Sequence, residues 1–436
     1  MNVLIYVPPP PKGMKSGEAL ELPIGALIIG TYAKHAGHNV KIVDGLTSSS
    51  FADDGDGFVP DVLGISMLTM YSVLVEAEMR KFITDVRKVA DPIIVCGGPG
   101  SSVLSEALLN DKLTDYVVFG PGENVFVELL SAFEAGTAVS EVSDIAYLDE
   151  TGSYVKTPRT KCSGSCLELQ TDFSLMDISG YLNPWLEGQR SVALYTSRGC
   201  KYRCSFCFNE AFYGRSYQTR PVPVIIAEMK DLNENYGVSA FRIFDECFGF
   251  DRAWLHELCN AIINELPPVG WVCMHRGGMN AREDYELMKR AGCLIVMMGI
   301  ETGDPQMSKT IRKAIHLESI PAEIEMLQDM GFWVYGYFIL GFPDETREQL
   351  KRTCDFMLAS KMDFFYLSYF YLIPDTGLYE ELVNSGRATA PKTIAEFRAF
   401  LSPKRYPNYS QIPKRELDVV FAFMSLAFRF LVLDLS

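Results

Sequence analysis

The sequence predicts an α/β protein made of two successive sheet-and-helix regions. Two observations carry that prediction. Short apolar strand-like runs alternate with longer helical stretches from the first residues to about 140, and the alternation restarts near 191. A chain of 436 residues with 48% hydrophobic content has ample apolar material for roughly two or three domains. The pattern divides the chain into residues 1–140, a turn-rich connector 141–190, a second α/β region 191–385 and a helical region 386–436.

In the first region strands are predicted at Asn2–Val7, Asn39–Val43, Val62–Ser66, Ile93–Cys96 and Tyr116–Phe119, with helices at Ile24–Lys34, Ser72–Val89, Ser101–Leu109 and Glu123–Phe133. That order describes a doubly wound parallel sheet, in which ligands bind outside the carboxyl ends of the strands. The loops there are Pro8–Pro11 with the following L-P-I-G-A-L containing Pro23, Ser66 to Thr69, Gly97-Gly98-Pro99-Gly100, and Gly120-Pro121-Gly122-Glu123. Glycine permits positive φ and close approach of backbone to a ligand, although each such loop alone is more often only a turn. The connector carries D-E-T-G-S, read as a small hairpin around Thr151-Gly152, and Cys162 and Cys166, read as linker thiols because no further cysteines follow at a second cluster's spacing.

The second region predicts strands at Val192–Thr196, Ala240–Asp245, Gly270–Met274, Leu294–Ile300, Trp333–Leu340 and Asp363–Phe370. Just after the first of them stands S-R-G-C-K-Y-R-C-S-F-C, with Cys200, Cys204 and Cys207 at C-x3-C-x2-C. Three thiolates fall one short of the four protein ligands of a complete iron-sulfur cluster, which leaves one iron open to a small molecule. Structural zinc also uses closely spaced thiolates but wants a fourth Cys or His, and the next cysteine is Cys247.

This motif resembles that of the radical S-adenosylmethionine (SAM) superfamily, whose open iron chelates SAM and whose cluster yields a 5'-deoxyadenosyl radical. The resemblance implies that Phe206 packs near the adenine and that the six strands form a partial (β/α)6 barrel with chemistry at the carboxyl strand ends. There Asp245 or Glu246 is expected to bind the methionine ammonium, and Arg276 its carboxylate. Glu301 and Thr302 of G-I-E-T-G are expected at the ribose and methionine ends, and the backbone around Leu340 at the adenine. For Asp245 the competing reading is a helix cap, and for Arg276 a solvated loop charge.

The four loops of the first region, in their order and spacing, resemble the cobalamin-binding domain fused to many radical SAM enzymes, over about residues 1–140. No D-x-H-x-x-G run is present, so a histidine ligand to cobalt is not expected. Pro23, Ser66 and Thr69 are the expected cover of the corrin's lower face, and Gly97, Gly98, Gly120, Gly122 and Glu123 would receive the corrin side chains and nucleotide tail. The combined resemblance implies a flavodoxin-like sheet, a radical SAM barrel and a C-terminal helical segment. It implies three cofactors: a 4Fe-4S cluster, SAM and cobalamin. The implied reaction is methylation of an unactivated carbon or phosphorus of a small molecule through methylcobalamin, with an external donor such as flavodoxin or ferredoxin. Relatives with both cofactors also cyclise or rearrange, and a radical SAM enzyme whose first domain binds no cobalamin is a further alternative.

Composition narrows the partners. A net charge of −15 without a basic stripe argues against nucleic acid. The N-terminus lacks the features of a signal peptide, so the eleven cysteines read as reduced thiols or metal ligands in a cytoplasmic setting. The apolar stretch Val419–Leu433 is shorter than a bilayer span and is broken by Arg429, which argues against membrane insertion. Strand six is rich in aromatics. These are read mainly as sheet packing, with Tyr369 and Tyr371 as candidates for lining a pocket for a flat or apolar substrate.

Overall fold

The computed structural model describes residues 1–11, 21–47, 57–160, 168–184, 189–401 and 407–433, so Cys162 and Cys166 lie outside the described residues. It divides into two compact units. One is Met1–Trp185 with Phe212–Gly214 and Thr389–Tyr406; the other is Leu186–Ala211, Arg215–Ala388 and Pro407–Ser436.

The first unit is built on β1 (Asn2–Val7), β2 (Asn39–Asp44), β3 (Val62–Ser66), β4 (Ile93–Gly97), β5 (Tyr116–Val118), β6 (Ile145–Leu148) and β7 (Tyr154–Lys156), ordered β2-β1-β3-β4-β5-β6-β7. The first five strands are parallel and the last two antiparallel. Val3, Leu4, Ile5 and Tyr6 of β1 are all buried, which requires cover on both faces. Helices α1 (Ile24–His35), α2 (Glu76–Val86), α3 (Pro99–Asn110) and α4 (Glu123–Ala135) alternate with the strands. Because β2 lies on one side of β1 and β3 on the other, the strand order reverses there, and a crevice opens at the carboxyl ends of β1 and β3. The stretch read as a connector is part of this unit: the hairpin at Thr151-Gly152 joins β6 to β7, which extend the sheet. The C-terminal region also divides, since the helix Ile394–Phe400 belongs to this first unit.

The second unit carries six parallel strands that neighbour one another in chain order: β8 (Arg190–Leu194), β9 (Ala240–Ile243), β10 (Gly270–His275), β11 (Cys293–Glu301), β12 (Trp333–Leu340) and β13 (Phe364–Tyr369). The intervening helices are α5 (Val222–Tyr236), α6 (Arg252–Glu265), α7 (Arg282–Arg290), α8 (Ile320–Asp329) and α9 (Arg347–Ala359), and α10 (Lys414–Leu433) follows. This is a half-barrel with β13 at its edge. Side chains alternate between its faces. His275 meets Tyr285 of α7, with Nε2 2.7 Å from Oη, and the Phe338 ring lies 6.3 Å from Phe356 of α9. Their helix-facing positions put Met274, Tyr335 and Tyr337 on the opposite, concave side. No described helix is long and apolar enough to cross a membrane.

Candidate functional site

The cysteine loop leaves β8 through a short antiparallel ribbon, Ser197–Gly199 paired with Tyr217–Thr219, which closes the loop at its base. Gly199 takes φ +78° at the turn into Cys200, a conformation that favours glycine. The loop is pinned from outside: the Ser205 amide donates to the Ile311 carbonyl (2.9 Å), and the Leu378 amide to the Ser205 carbonyl (2.8 Å). Phe206 packs edge-on against Phe342, with centroids 5.6 Å apart, so the residue before the third cysteine meets the turn after β12.

Two acidic neighbours after β9 divide the work. Asp245 is fully buried, and its carboxylate accepts from the Thr196 amide (2.7 Å), the Thr196 hydroxyl (2.6 Å) and the Ser197 hydroxyl (2.5 Å). Burial raises its pKa to about 6, against the lowering effect of these donors. Asp245 therefore clamps the start of the ribbon instead of reaching for a ligand, and it caps no helix; Asp251 caps α6. Glu246 remains at the loop, where it accepts from the Gly199 amide at 2.9 Å.

Two buried cations face the thiols. Arg276 is only 6% exposed, so the solvated-loop reading fails. Its guanidinium stacks 3.6 Å over the Tyr202 ring, with Nη1 3.8 Å from the Cys204 sulfur, and Nη2 has no hydrogen-bond partner among the described residues. Lys313 pairs with Glu301 at 2.8 Å, both side chains buried. Burial works to lower the lysine pKa, but Glu301 and Cys204 outweigh it and the net shift is upward. Glu301 reaches this pair from a left-handed backbone, φ +71°, unusual for a residue with a Cβ. A Cβ on Gly299 would lie 2.7 Å from the Glu301 carboxylate and 3.0 Å from Lys313 Nζ, which explains the glycine.

The cysteines respond to this field. Cys200 is held down to about 6, first by a hydrogen bond from Cys247 and further by Arg276 and Lys313, against burial. Burial pushes Cys207 up to about 12. Among the described residues no three Cys, His, Asp or Glu side chains are already drawn together as a metal-binding set. The chemistry of the donors still suits a metal cluster, because three thiols on one short loop lie in the field of two buried cations. Cys247 is a neighbour that sequence spacing hid. Lys313 was missed for the same reason, since 12 residues separate it from Glu301.

Two of the expected contact residues turn their side chains to the helix layer. Thr302 is fully buried and faces α9, its hydroxyl 3.0 Å from that of Thr353. Leu340 is likewise buried in the helix-facing core, and its carbonyl accepts from the Phe370 amide at 2.8 Å. Tyr369 also points away from the concave side. It stacks on Phe421 of α10 at 4.4 Å and donates to Asp418 at 2.7 Å.

In the first unit the site is made mostly of backbone. The Met67 amide donates to the Gly97 carbonyl (2.8 Å) and the Gly100 amide to the Met67 carbonyl (2.9 Å), which zips the loops after β3 and β4 into one lip. A Cβ on Gly100 would fall 2.2 Å from the Thr69 carbonyl oxygen; on Gly98, at φ +99°, it would fall 2.7 Å from that of Met67. These two glycines serve loop-to-loop contact. Gly97 differs, because a Cβ there would meet open space. Leu68, passed over in the sequence, is 62% exposed on this lip beside exposed Thr69 and half-buried Ser66. Pro23 precedes α1 and is half-buried. Gly120 is packed by the Phe212 carbonyl and Arg159, Gly122 by Ile29 and Val118, and Glu123 is buried at the start of α4.

Residues 194–357 match the Radical SAM superfamily and residues 16–130 match the B12 binding domain. The chain carries a radical SAM domain and a B12-binding domain. Curated relatives of this radical SAM chain include an uncharacterized methyltransferase of Pyrococcus horikoshii, 27% identical over 386 residues, covering 86% of this chain and 82% of the relative. A cytidylyl-2-hydroxyethylphosphonate methyltransferase of Streptomyces wedmorensis is 26% identical, covering 84% and 78%. An anaerobic magnesium-protoporphyrin IX monomethyl ester cyclase of Rubrivivax gelatinosus is 25% identical, covering 80% and 64%. Among solved structures, the radical SAM methyltransferase TsrM of Kitasatospora setae, with tryptophan substrate and a SAM analogue bound, superposes with a TM-score of 0.73 at 21% identity, covering 89% of this radical SAM chain and 77% of that one. The cobalamin-dependent radical enzyme OxsB gives 0.70 at 17% identity, covering 88% and 55%. These two likenesses establish the fold.

Proposed function

We propose that this radical SAM enzyme methylates an unactivated carbon or phosphorus centre of a small molecule, using a 4Fe-4S cluster, SAM and cobalamin. The observation that carries the reading is the pairing, in one chain, of a cation-flanked three-cysteine loop with a β2-β1-β3-β4-β5 sheet whose lip offers backbone and an exposed leucine. Bound together, these groups supply a carbon-centred radical and a transferable methyl group. Cys200, Cys204 and Cys207 would hold the cluster, with Arg276 and Lys313 offsetting its negative charge. Glu246 and the free Nη2 of Arg276 are the groups suited to an ammonium and a carboxylate. Asp245 acts one step back, holding the ribbon that presents the cysteines. The Ser66–Thr69 lip with Gly97 would take the corrin, and no histidine stands on it. Electrons would come from a small donor such as flavodoxin or ferredoxin, in the cytoplasm.

The test is anaerobic reconstitution with iron, sulfide and hydroxocobalamin, then SAM and reductant. Retained corrinoid with deoxyadenosine release supports the reading. Protein that holds iron but retains no corrinoid at any loading loses the cobalamin part. Cyclisation without methyl transfer is the second reading, favoured by the cyclase relative. S-adenosylhomocysteine with a methylated product separates the first from the second.

A further inference from the structure

The concave face of the half-barrel carries an aromatic wall that the cofactor site does not use. Met274, Met297, Tyr335 and Phe364 stand in register across β10 to β13, all on that face. Toward the amino ends of the strands the wall continues in Trp333. Toward the carboxyl ends it continues in Tyr337 and Tyr366, which pair directly across β12 and β13.

Three of the rings stack and the two tyrosine pairs above them are tilted, at 45° and 57°. Trp333 and Phe364 lie 5.4 Å apart at 28°, Tyr335 and Phe364 6.0 Å apart at 24°. Tyr335 to Tyr337 is 5.2 Å and Tyr337 to Tyr366 is 5.9 Å. Tyr337 Oη points at Met297 Sδ, 3.6 Å away, which ties the rings to the thioether beside them.

Sheet packing does not account for this wall. The helix-facing rings of the same strands are covered, as Phe338 and Tyr369 show, whereas Trp333 is 53% and Tyr366 54% exposed. Contiguous exposed aromatic surface marks a binding face, and ring faces favour offset stacking with other flat π systems. Four strands have three gaps of about 4.8 Å, so the in-register row is roughly 14 Å wide, broader than a single indole. The edge position of β13 leaves the wall open on one side. At its upper end it is continuous with the thiol pocket, because Tyr337 pairs with Gly299, two residues before Glu301.

We infer that this wall binds the substrate as an extended planar ring system laid against the tyrosines, below the carboxyl-end site. The inference rests on the radical-enzyme reading above and names its substrate class. Ring edges and the tilted tyrosines hold the ring system by edge-on and offset contacts, and the methionines adapt to its outline.

The test uses the iron- and corrinoid-loaded enzyme dialysed against 1-pyrenebutyrate, with dodecanoate as an apolar competitor of the same charge. The wall predicts saturable pyrenebutyrate binding, weakened tenfold or more by Tyr366→Ser and by Trp333→Ser, and more in the double variant. Both rings are half exposed, so these changes spare the core, and thermal unfolding checks that. Leu358→Ala, on the outer helix α9, leaves the affinity unchanged. Displacement by dodecanoate as effective as by unlabelled pyrenebutyrate reduces the wall to a greasy surface and overturns the inference, as does unchanged affinity in both serine variants. Deoxyadenosine release from SAM by the wild type is measured separately. Its failure sinks the radical reading while the dialysis result still judges the wall.

Discussion

The half-barrel and the N-terminal sheet build their sites in opposite ways. In the half-barrel the chemistry is carried by side chains: three thiols, two buried cations and the buried Glu301 carboxylate. In the sheet it is carried largely by side chains that are missing, since Gly98 and Gly100 let two loops touch and Gly97 leaves a space. A site made of charges depends on keeping every charge paired, whereas a site made of backbone depends on nothing being added.

That contrast can be broken or sharpened by substitution. The largest effect is expected from Cys200→Ala, Cys204→Ala or Cys207→Ala, each of which should drop bound iron and deoxyadenosine release to background; near-normal SAM cleavage in one variant would remove that cysteine from the ligand set. Next comes Lys313→Met, which strands the buried Glu301 charge and should cost about 3–5 kcal/mol in denaturant unfolding. A Lys313→Met, Glu301→Met double variant should recover much of that loss, and failure to do so would mean that the pair is not the origin.

Gly100→Ala tests the other unit. With a Cβ 2.2 Å from the Thr69 carbonyl oxygen, it should cost about 1–3 kcal/mol and weaken corrinoid retention while iron content holds. Equal loss of iron would show that the two sites are not separable.

A pH effect should be smaller and confined to the half-barrel turn after β12. Glu345 is fully buried and accepts from the Gly341 amide at 2.6 Å; burial raises its pKa from 4.5 to about 7. Because the folded form holds the proton more tightly, its contribution to stability is full below 4.5 and is lost as pH rises through about 7. Thermal unfolding between pH 5 and 8 should show that decline, flattened in Glu345→Gln. The smallest effect is expected from Cys247→Ala, with iron content kept, since the Cys247 thiol donates to Met279 Sδ at 3.5 Å and acts on Cys200 only as a neighbour. Iron loss as deep as in Cys200→Ala would make it a fourth ligand.

Much of this was legible in the linear chain. The strand runs, the C-x3-C-x2-C spacing and G-I-E-T-G mark two parallel sheets and a thiol loop, because strand periodicity and ligand spacing are local properties. What failed was facing. Asp245 and Glu246 are adjacent, yet one is consumed as a clamp and the other left at the loop, a division set by which way the strand end turns. The Thr302 side chain went to the helix side, and so did that of Leu340, of which only the backbone was expected at the adenine. Tyr369 was expected in the pocket, but one residue of alternation gives the concave face to Tyr366 instead.

The sequence by itself therefore determined the number and order of the βα units, the cluster-type cysteine loop and the glycine-rich strand ends, all encoded within a few neighbouring residues. Only the tertiary structure decided that Lys313 neutralises Glu301, that Cys247 lies against Cys200 and that five rings from two strands form one wall. Those outcomes depend on register and on which face is covered, and both arise only when residues far apart in the chain compete for the same buried space.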